Sequence, residues 1–239
     1  MHTIKSAIQL LILILWTLLI IVVTFVTLVL TFHPTWVLTI VRRVWAPFIL
    51  KVMGVKLKVE GLAHFDRTKN YIILSNHTSY LDIPILLSAL PVNIYFIAKK
   101  ELIRVPFFGW MMWLLGMIFI DRKNAKRSLI SMKKAAIKLK SGKNVLVFPE
   151  GTFDDSPGLL PFKKGAFHIA VRADIPLLPV VIKDADLIWP PNQILNFTKG
   201  IVTVKFGQPF GKTKELDNVK MVQHLKEQAE ESIQQLLKN

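Results

Sequence analysis

The chain opens with one long apolar block and continues with short apolar runs separated by polar and glycine-bearing turns. From position 7 to position 32 no charged residue occurs, a stretch longer than the roughly 20 residues that carry a helix across a hydrocarbon core. Charge is missing all round this helix and not on one face only, which argues against a buried soluble helix. The run is too long for the core of a cleaved signal peptide and no small-residue cleavage site follows it, so it is expected to be retained. His33-Pro34 breaks it, and a second, more amphipathic helix over 35–51 carries Trp36, Arg42, Arg43, Trp45 and Lys51. Residues 1–53 are therefore assigned to an N-terminal membrane-associating helical pair. Basic residues after the first run outnumber the lone Lys5 before it, so a spanning helix leaves the body on the cytoplasmic face. A pair lying within one leaflet stays open.

The pattern changes at Met53-Gly54, and residues 54–239 are read as one further domain. Over 55–60 apolar and charged residues alternate, the mark of a half-exposed strand. Buried strands are expected at 71–74, 94–98, 117–120, 145–148, 177–182 and 201–206. Helices are expected at 83–90, closed by Pro91 and capped by Thr78 or Ser79, and at 125–140, where Met132, Ala136 and Leu139 recur at helical spacing. Two more follow, near 165–173 and, with a polar surface, from about 216. Strands alternating with helices predict an α/β fold, a largely parallel sheet flanked by helices.

Composition sharpens this picture. An apolar content of 52% with mean hydropathy +0.43 is high for a soluble domain of 239 residues, so part of the chain is expected to meet lipid. A net charge of +15 calls for a partner of opposite sign: nucleic acid, anionic lipid or a phosphorylated substrate. Nucleic acid would answer the charge but leave the N-terminal apolar run without purpose, so membrane lipid is the favoured partner. The absence of cysteine excludes disulfides, thiolate catalysis and Cys-based zinc sites. No metal or resident cofactor is expected.

Candidate chemistry sits at two strand ends. In Asn76-His77-Thr78-Ser79-Tyr80-Leu81-Asp82 an imidazole and a carboxylate are five positions apart at a strand-to-helix junction, where open α/β sheets place ligands. Asp82 on the first helical turn can hold one ring nitrogen of His77 and leave proton abstraction to the other. Phe148-Pro149-Glu150-Gly151-Thr152 likewise follows a strand directly, so Glu150 is presented at a second strand end, where it could bind hydroxyls, beside a glycine that permits a sharp turn. Two rival classes fit less well. Ser75 and Ser79 flank His77 as a hydrolase nucleophile would, but the G-x-S-x-G elbow is missing. Gly207 to Thr213 is one residue short of the phosphate-loop spacing and carries Pro209 where an amide donor is wanted. A catalytically silent membrane-binding protein of the same fold stays open.

Together these segments resemble the glycerolipid acyltransferase family, in particular its bacterial 1-acylglycerol-3-phosphate acyltransferases, over residues 71–182. Residues 76–82 are similar to the family's His-x-x-x-x-Asp motif. Ala98-Lys99-Lys100-Glu101-Leu102 and Ile118-Phe119-Ile120-Asp121-Arg122 look like the second block, whose basic residues are implied to hold the acceptor phosphate. Phe148 to Thr152 resembles the third block, in which the Glu is implied to bind the acceptor glycerol, and Leu178-Pro179-Val180-Val181 the fourth. The chain departs from the pattern after Glu150-Gly151-Thr152: Phe153 stands where the family usually has Arg, and Asp154 and Asp155 follow. The resemblance implies acyl transfer to a lysophospholipid from an acyl thioester, acyl-CoA or acyl carrier protein. His77 and Asp82 are then the catalytic pair, and Glu150, Gly151, Thr152, Lys99, Lys100, Arg122 and Lys163 contact substrate. Backbone amides near Gly151 or Pro179 are the expected donors to the oxyanion.

Overall fold

The computed structural model describes residues 2–121, 125–152, 158–191, 193–213 and 216–238. Helix α1 (His2–Thr31) ends at the predicted break, and a helical run follows it: α2 (Pro34–Ile40), a π-helical turn (Val41–Trp45) and α3 (Ala46–Met53). Pro47 accounts for the turn. It has no N–H to continue the ladder and its ring crowds the preceding carbonyls, so the ladder widens and the Ala46 N–H reaches Val41 O. The run folds back antiparallel on α1. The Gln9 amide donates to Val52 O at 2.8 Å, Trp16 stacks on Phe48 at 4.1 Å, and the Trp45 indole N–H donates to Thr17 Oγ1 at 3.1 Å.

The body is built on a seven-stranded sheet in the order β1-β7-β6-β2-β5-β3-β4. Its strands are β1 (Val55–Glu60), β2 (Ile72–Ser75), β3 (Ile94–Lys99), β4 (Ile118–Ile120), β5 (Asn144–Val147), β6 (Leu177–Lys183) and β7 (Gly200–Phe206). Every pairing is parallel except β6 with β7. The largely parallel sheet expected from the alternation of elements is thus present, and the reversed pair β1 and β7 is the part periodicity did not reveal. At the edge, β1 carries Lys56, Lys58 and Glu60, charges that discourage pairing with another chain.

The period of two along each strand divides the core into two layers. Ile73, Leu146, Leu178 and Val180 face α3 and α4 (Asp82–Ala89). Ile72, Leu74, Val145 and Val181 face α6 (Ala125–Lys140), α7 (Gly165–Ala173) and α9 (Asn218–Lys238). Ala46, Ile49, Leu50 and Met53 of α3 are buried in the first layer, so the end of the N-terminal helical segment is part of the globular core.

Two shorter helices complete the chain, α5 (Phe108–Leu114) and α8 (Ala185–Ile188). In α5, Gly109 lies so close to the preceding turn that a Cβ there would sit 2.1 Å from Leu102 O. Met111 is buried, whereas Phe107, Trp110 and Trp113 are exposed. α1 is exposed along most of its length, with Leu13 and Ile20 among the few side chains that are covered. Among the described residues it is the one helix long and apolar enough to cross a membrane.

Candidate active site

Strands β2 to β6 run in one direction, so their carboxyl ends meet along one edge of the sheet. β2 delivers His77 to that edge, its neighbour β5 delivers Glu150, the next strand β3 delivers Lys99 and Lys100, and the outermost, β4, delivers Asp121.

His77 Nδ1 donates to Asp82 Oδ2 at 2.7 Å. The same oxygen accepts the backbone N–H groups of Thr78 at 2.7 Å and Ser79 at 2.9 Å. One fully buried carboxylate oxygen therefore orients the imidazole and shapes the turn that carries it. The N-cap differs from the expectation: Leu81 takes that place, and Ser79 Oγ instead accepts from Leu81 N at 3.2 Å. With Asp82 spanning the turn, no hydroxyl cap is required. Ser79 Oγ also donates to Trp189 O, and Ser75 Oγ donates to Asn76 O, so neither serine is placed as a nucleophile for His77.

Two side chains not singled out by sequence reasoning fix the pair. The Asn76 amide bonds to Ile182 in both directions, Nδ2 donating to Ile182 O at 2.9 Å and Oδ1 accepting Ile182 N–H at 2.8 Å. Asn76 thereby continues the β2 to β6 ladder one residue past the strand, just before His77. Phe148 stacks on the imidazole at 4.0 Å with the rings 14° apart. The position of Asn76 immediately before His77 is the available signal for the first, and the place of Phe148 at the head of the second strand-end motif is the signal for the other.

Glu150 is buried, and its carboxylate ties two loops together. Oε1 accepts His77 N–H at 3.0 Å and Oε2 accepts Leu160 N–H at 2.9 Å. Burial pushes its carboxyl above the ordinary glutamate range, against the opposing pull of those two amides. Gly151 turns the chain at φ +80°, and a Cβ there would lie 2.8 Å from Lys163 Nζ. Only glycine admits the Lys163 ammonium this close to the backbone. Lys163 is held in turn by its N–H on Pro149 O at 2.9 Å, and Phe162 N–H bonds to Glu230 of α9.

The remaining expectations divide. Lys100 pairs with Asp121 at 2.7 Å, Lys99 is exposed at the end of β3, and Thr152 follows Gly151 at the same edge. Arg122, Phe153, Asp154 and Asp155 lie outside the described residues. Of the two positions named for the oxyanion donors, neither supplies a donor of its own, and the expectation of amides near them concerns their neighbours. Gly151 N–H is engaged by Phe148 O at 3.1 Å, and Pro179, which has no N–H, lies inside β6 opposite Leu74. Among the described residues no group of three or more His, Asp or Glu side chains is placed to hold a metal.

Residues 56–183, which contain both strand-end motifs and the sheet edge joining them, match the family model described as Acyltransferase. The chain is 42% identical over 130 residues to mouse 1-acyl-sn-glycerol-3-phosphate acyltransferase alpha, covering 54% of this chain and 46% of that protein. It is 38% identical over 165 residues to the Saccharomyces cerevisiae 1-acyl-sn-glycerol-3-phosphate acyltransferase, covering 67% and 54%. It thus spans about half the length of these relatives. The crystal structure of the 1-acyl-sn-glycerophosphate (LPA) acyltransferase, PlsC, from Thermotoga maritima superposes with a TM-score of 0.81 at 25% identity, over 99% of this chain and 98% of that one. A histidine oriented by a buried carboxylate at a parallel sheet's carboxyl edge, within a stretch that the family model covers from end to end, makes this chain a member of the acyltransferase family.

Proposed function

We propose that the protein transfers an acyl group from a thioester, acyl-CoA or acyl carrier protein, to the free hydroxyl of 1-acylglycerol-3-phosphate, giving phosphatidic acid. The observation that carries this reading is the 2.7 Å contact between His77 Nδ1 and a fully buried Asp82 oxygen. With Nδ1 bonded to the carboxylate, Nε2 takes the hydroxyl proton as the alkoxide oxygen attacks the thioester carbonyl. Asp82 stabilises the imidazolium that forms. The carbon–sulfur bond then breaks, the thiolate leaves, and it takes the proton back from His77. No acyl-enzyme is required, and Glu150 serves by holding the His77 backbone.

Lys163, beside Gly151, and Lys99 and Lys100, two strands from His77, are the cations that hold the acceptor phosphate together with Arg122. Two strand spacings are about 10 Å, a separation that a lysine side chain and a glycerol phosphate can bridge between them. Phe153 in place of an Arg, with Asp154 and Asp155 after it, favours a second reading, an acceptor lipid that lacks a phosphate monoester: Phe cannot contact a phosphate as Arg would, and acidic residues would repel a dianion if they faced the pocket.

The apolar span of α1, 28 residues or about 42 Å at 1.5 Å per residue and exposed along most of its length, supports association with a membrane. The basic residues that follow it support a cytoplasmic catalytic face. The experiment is a purified-protein assay of labelled acyl thioester against lysolipids with and without a phosphate monoester. His77→Ala should lower turnover by roughly 10²–10⁴-fold while the protein stays folded. Near wild-type turnover in a folded His77→Ala protein would remove His77 as the base, and preference for the phosphate-free acceptor would establish the second reading.

A further inference from the structure

At the opposite edge of the sheet, where β2, β3 and β5 begin, the protein has a cavity of about 270 Å³. Its lining includes Thr35, Arg67, Lys69, Asn93, Tyr95 and Lys143, and no acidic side chain. Asp66 pairs with Lys69 at 3.6 Å through Oδ2, while its Oδ1 accepts from the Thr68 backbone N–H and hydroxyl. Arg67 and Lys143 have no ion pair among the described residues. More positive charge stands behind them. Arg42 is fixed on Asn93 Oδ1 at 3.2 Å and Leu90 O at 3.3 Å, and its guanidinium is drawn below its ordinary value by burial and then by Arg43 and Arg67. On the far side, the Lys138 ammonium lies 4.3 Å from the centre of the Tyr95 ring.

Arg67 and Lys143 therefore share the cavity without a carboxylate among the described residues to balance them, an arrangement that lowers its energy by accepting an anion. The volume lies below the roughly 300–1,000 Å³ of pockets that enclose drug-sized ligands, so it suits a head group. Its position indicates which one. Thr35 lies in the first turn of α2, just past the break after α1, and the neighbouring Phe32 and Trp36 are 82% and 61% exposed. Exposed aromatics beside a basic cluster, at the end of an uncovered apolar helix, are the mark of a surface that meets anionic lipid.

We propose that this cavity binds the phosphate of an anionic phospholipid, at a site separate from the catalytic edge, with the lipid chains lying along the junction of α1 and α2 that bears Phe32 and Trp36. The proposal rests on the membrane association argued above but not on the acyl-transfer chemistry. Its test uses the full chain in an uncharged detergent, titrated with dioctanoyl phosphatidylglycerol, dioctanoyl phosphatidylcholine or inorganic phosphate while thermal unfolding is followed. Phosphatidylglycerol should raise Tm saturably, and the other two should not at the same concentrations. The double variant Arg67→Ala/Lys143→Ala should bind it at least about tenfold more weakly, from the loss of two charge-assisted contacts. His77→Ala should bind it as wild type does, which separates this site from the catalytic one. An equal response to inorganic phosphate would overturn the lipid assignment. Equal binding by the double variant and wild type, or no response to phosphatidylglycerol, would overturn the site.

Discussion

Replacing Asp82 in two ways separates its structural role from its electrostatic one. Three donors converge on Oδ2, two of them the backbone amides of Thr78 and Ser79, while Oδ1 is buried without a hydrogen-bond partner among the described residues. Asp82→Ala strips all three donors of their acceptor. Two buried amides left unpaired cost about 1–3 kcal/mol each, so the protein should lose about 2–6 kcal/mol, equivalent to a fall in Tm of roughly 4–24 °C for a chain of this size. Asp82→Asn can keep an amide oxygen in the place of Oδ2 and preserve all three bonds, so its stability should fall by no more than about 1 kcal/mol. What Asn cannot supply is charge. Two unit charges separated by the 2.7 Å of the His77–Asp82 contact attract by about 6 kcal/mol at an effective dielectric constant near 20. With about half the imidazolium charge developed in the transition state, the loss is about 3 kcal/mol, or roughly 10²-fold in kcat. Acceptor KM should change little, because the interaction grows only as the proton moves. Thermal unfolding and steady-state kinetics on both variants decide the matter. If Asp82→Asn is as active as wild type, the carboxylate charge has no catalytic role. If Asp82→Ala melts with wild type, the three-donor convergence does not hold the turn.

Asn76→Ala should destabilise the protein by about 2–6 kcal/mol by leaving both polar groups of Ile182 unpaired; because it also loosens the residue preceding His77, kcat should fall more than KM, and kinetics identical to wild type would reduce Asn76 to a purely structural tie. Glu150→Ala should alter the pH dependence of stability. Burial raises the Glu150 pKa, so the folded chain holds that proton more tightly than the unfolded one; the contribution is full below the unfolded value near 4.5 and is lost as pH rises through the folded pKa. The wild-type Tm should thus decline relative to Glu150→Ala over that range, and parallel Tm profiles would contradict the sign. The intact chain should remain with membranes washed in high salt or alkaline carbonate, since α1 exposes more apolar surface than an interfacial patch requires; release into the supernatant would rule out α1 as an anchor.

Features that depend on neighbours along the chain are legible in the amino-acid order itself. Asp82 reaches His77 across five residues, and a contact of that span is set by a single turn, so the motif and its geometry belong to the sequence alone. The same holds for the charge-free length of α1 and for the strands: β2 and β6 are continuous apolar runs buried along their length, and β1 alternates as an edge strand does. Strand order belongs to tertiary structure, because parallel neighbours such as β2 and β5 are joined through long crossovers and periodicity says nothing of which strands meet. So do the contacts that finish the site. Glu150 looks in sequence like a group facing substrate, yet folding places His77 N–H, 73 residues distant, on one of its oxygens. Asn76 finds both of its partners on Ile182, 106 residues away. Lys163 comes to lie against Gly151 only after the intervening loop returns to Pro149. Local patterning selects the chemical groups and the turn that joins the first two; burying the sheet between two helical layers is what brings distant backbone polar groups to them, because once withdrawn from water those groups must find partners inside the protein.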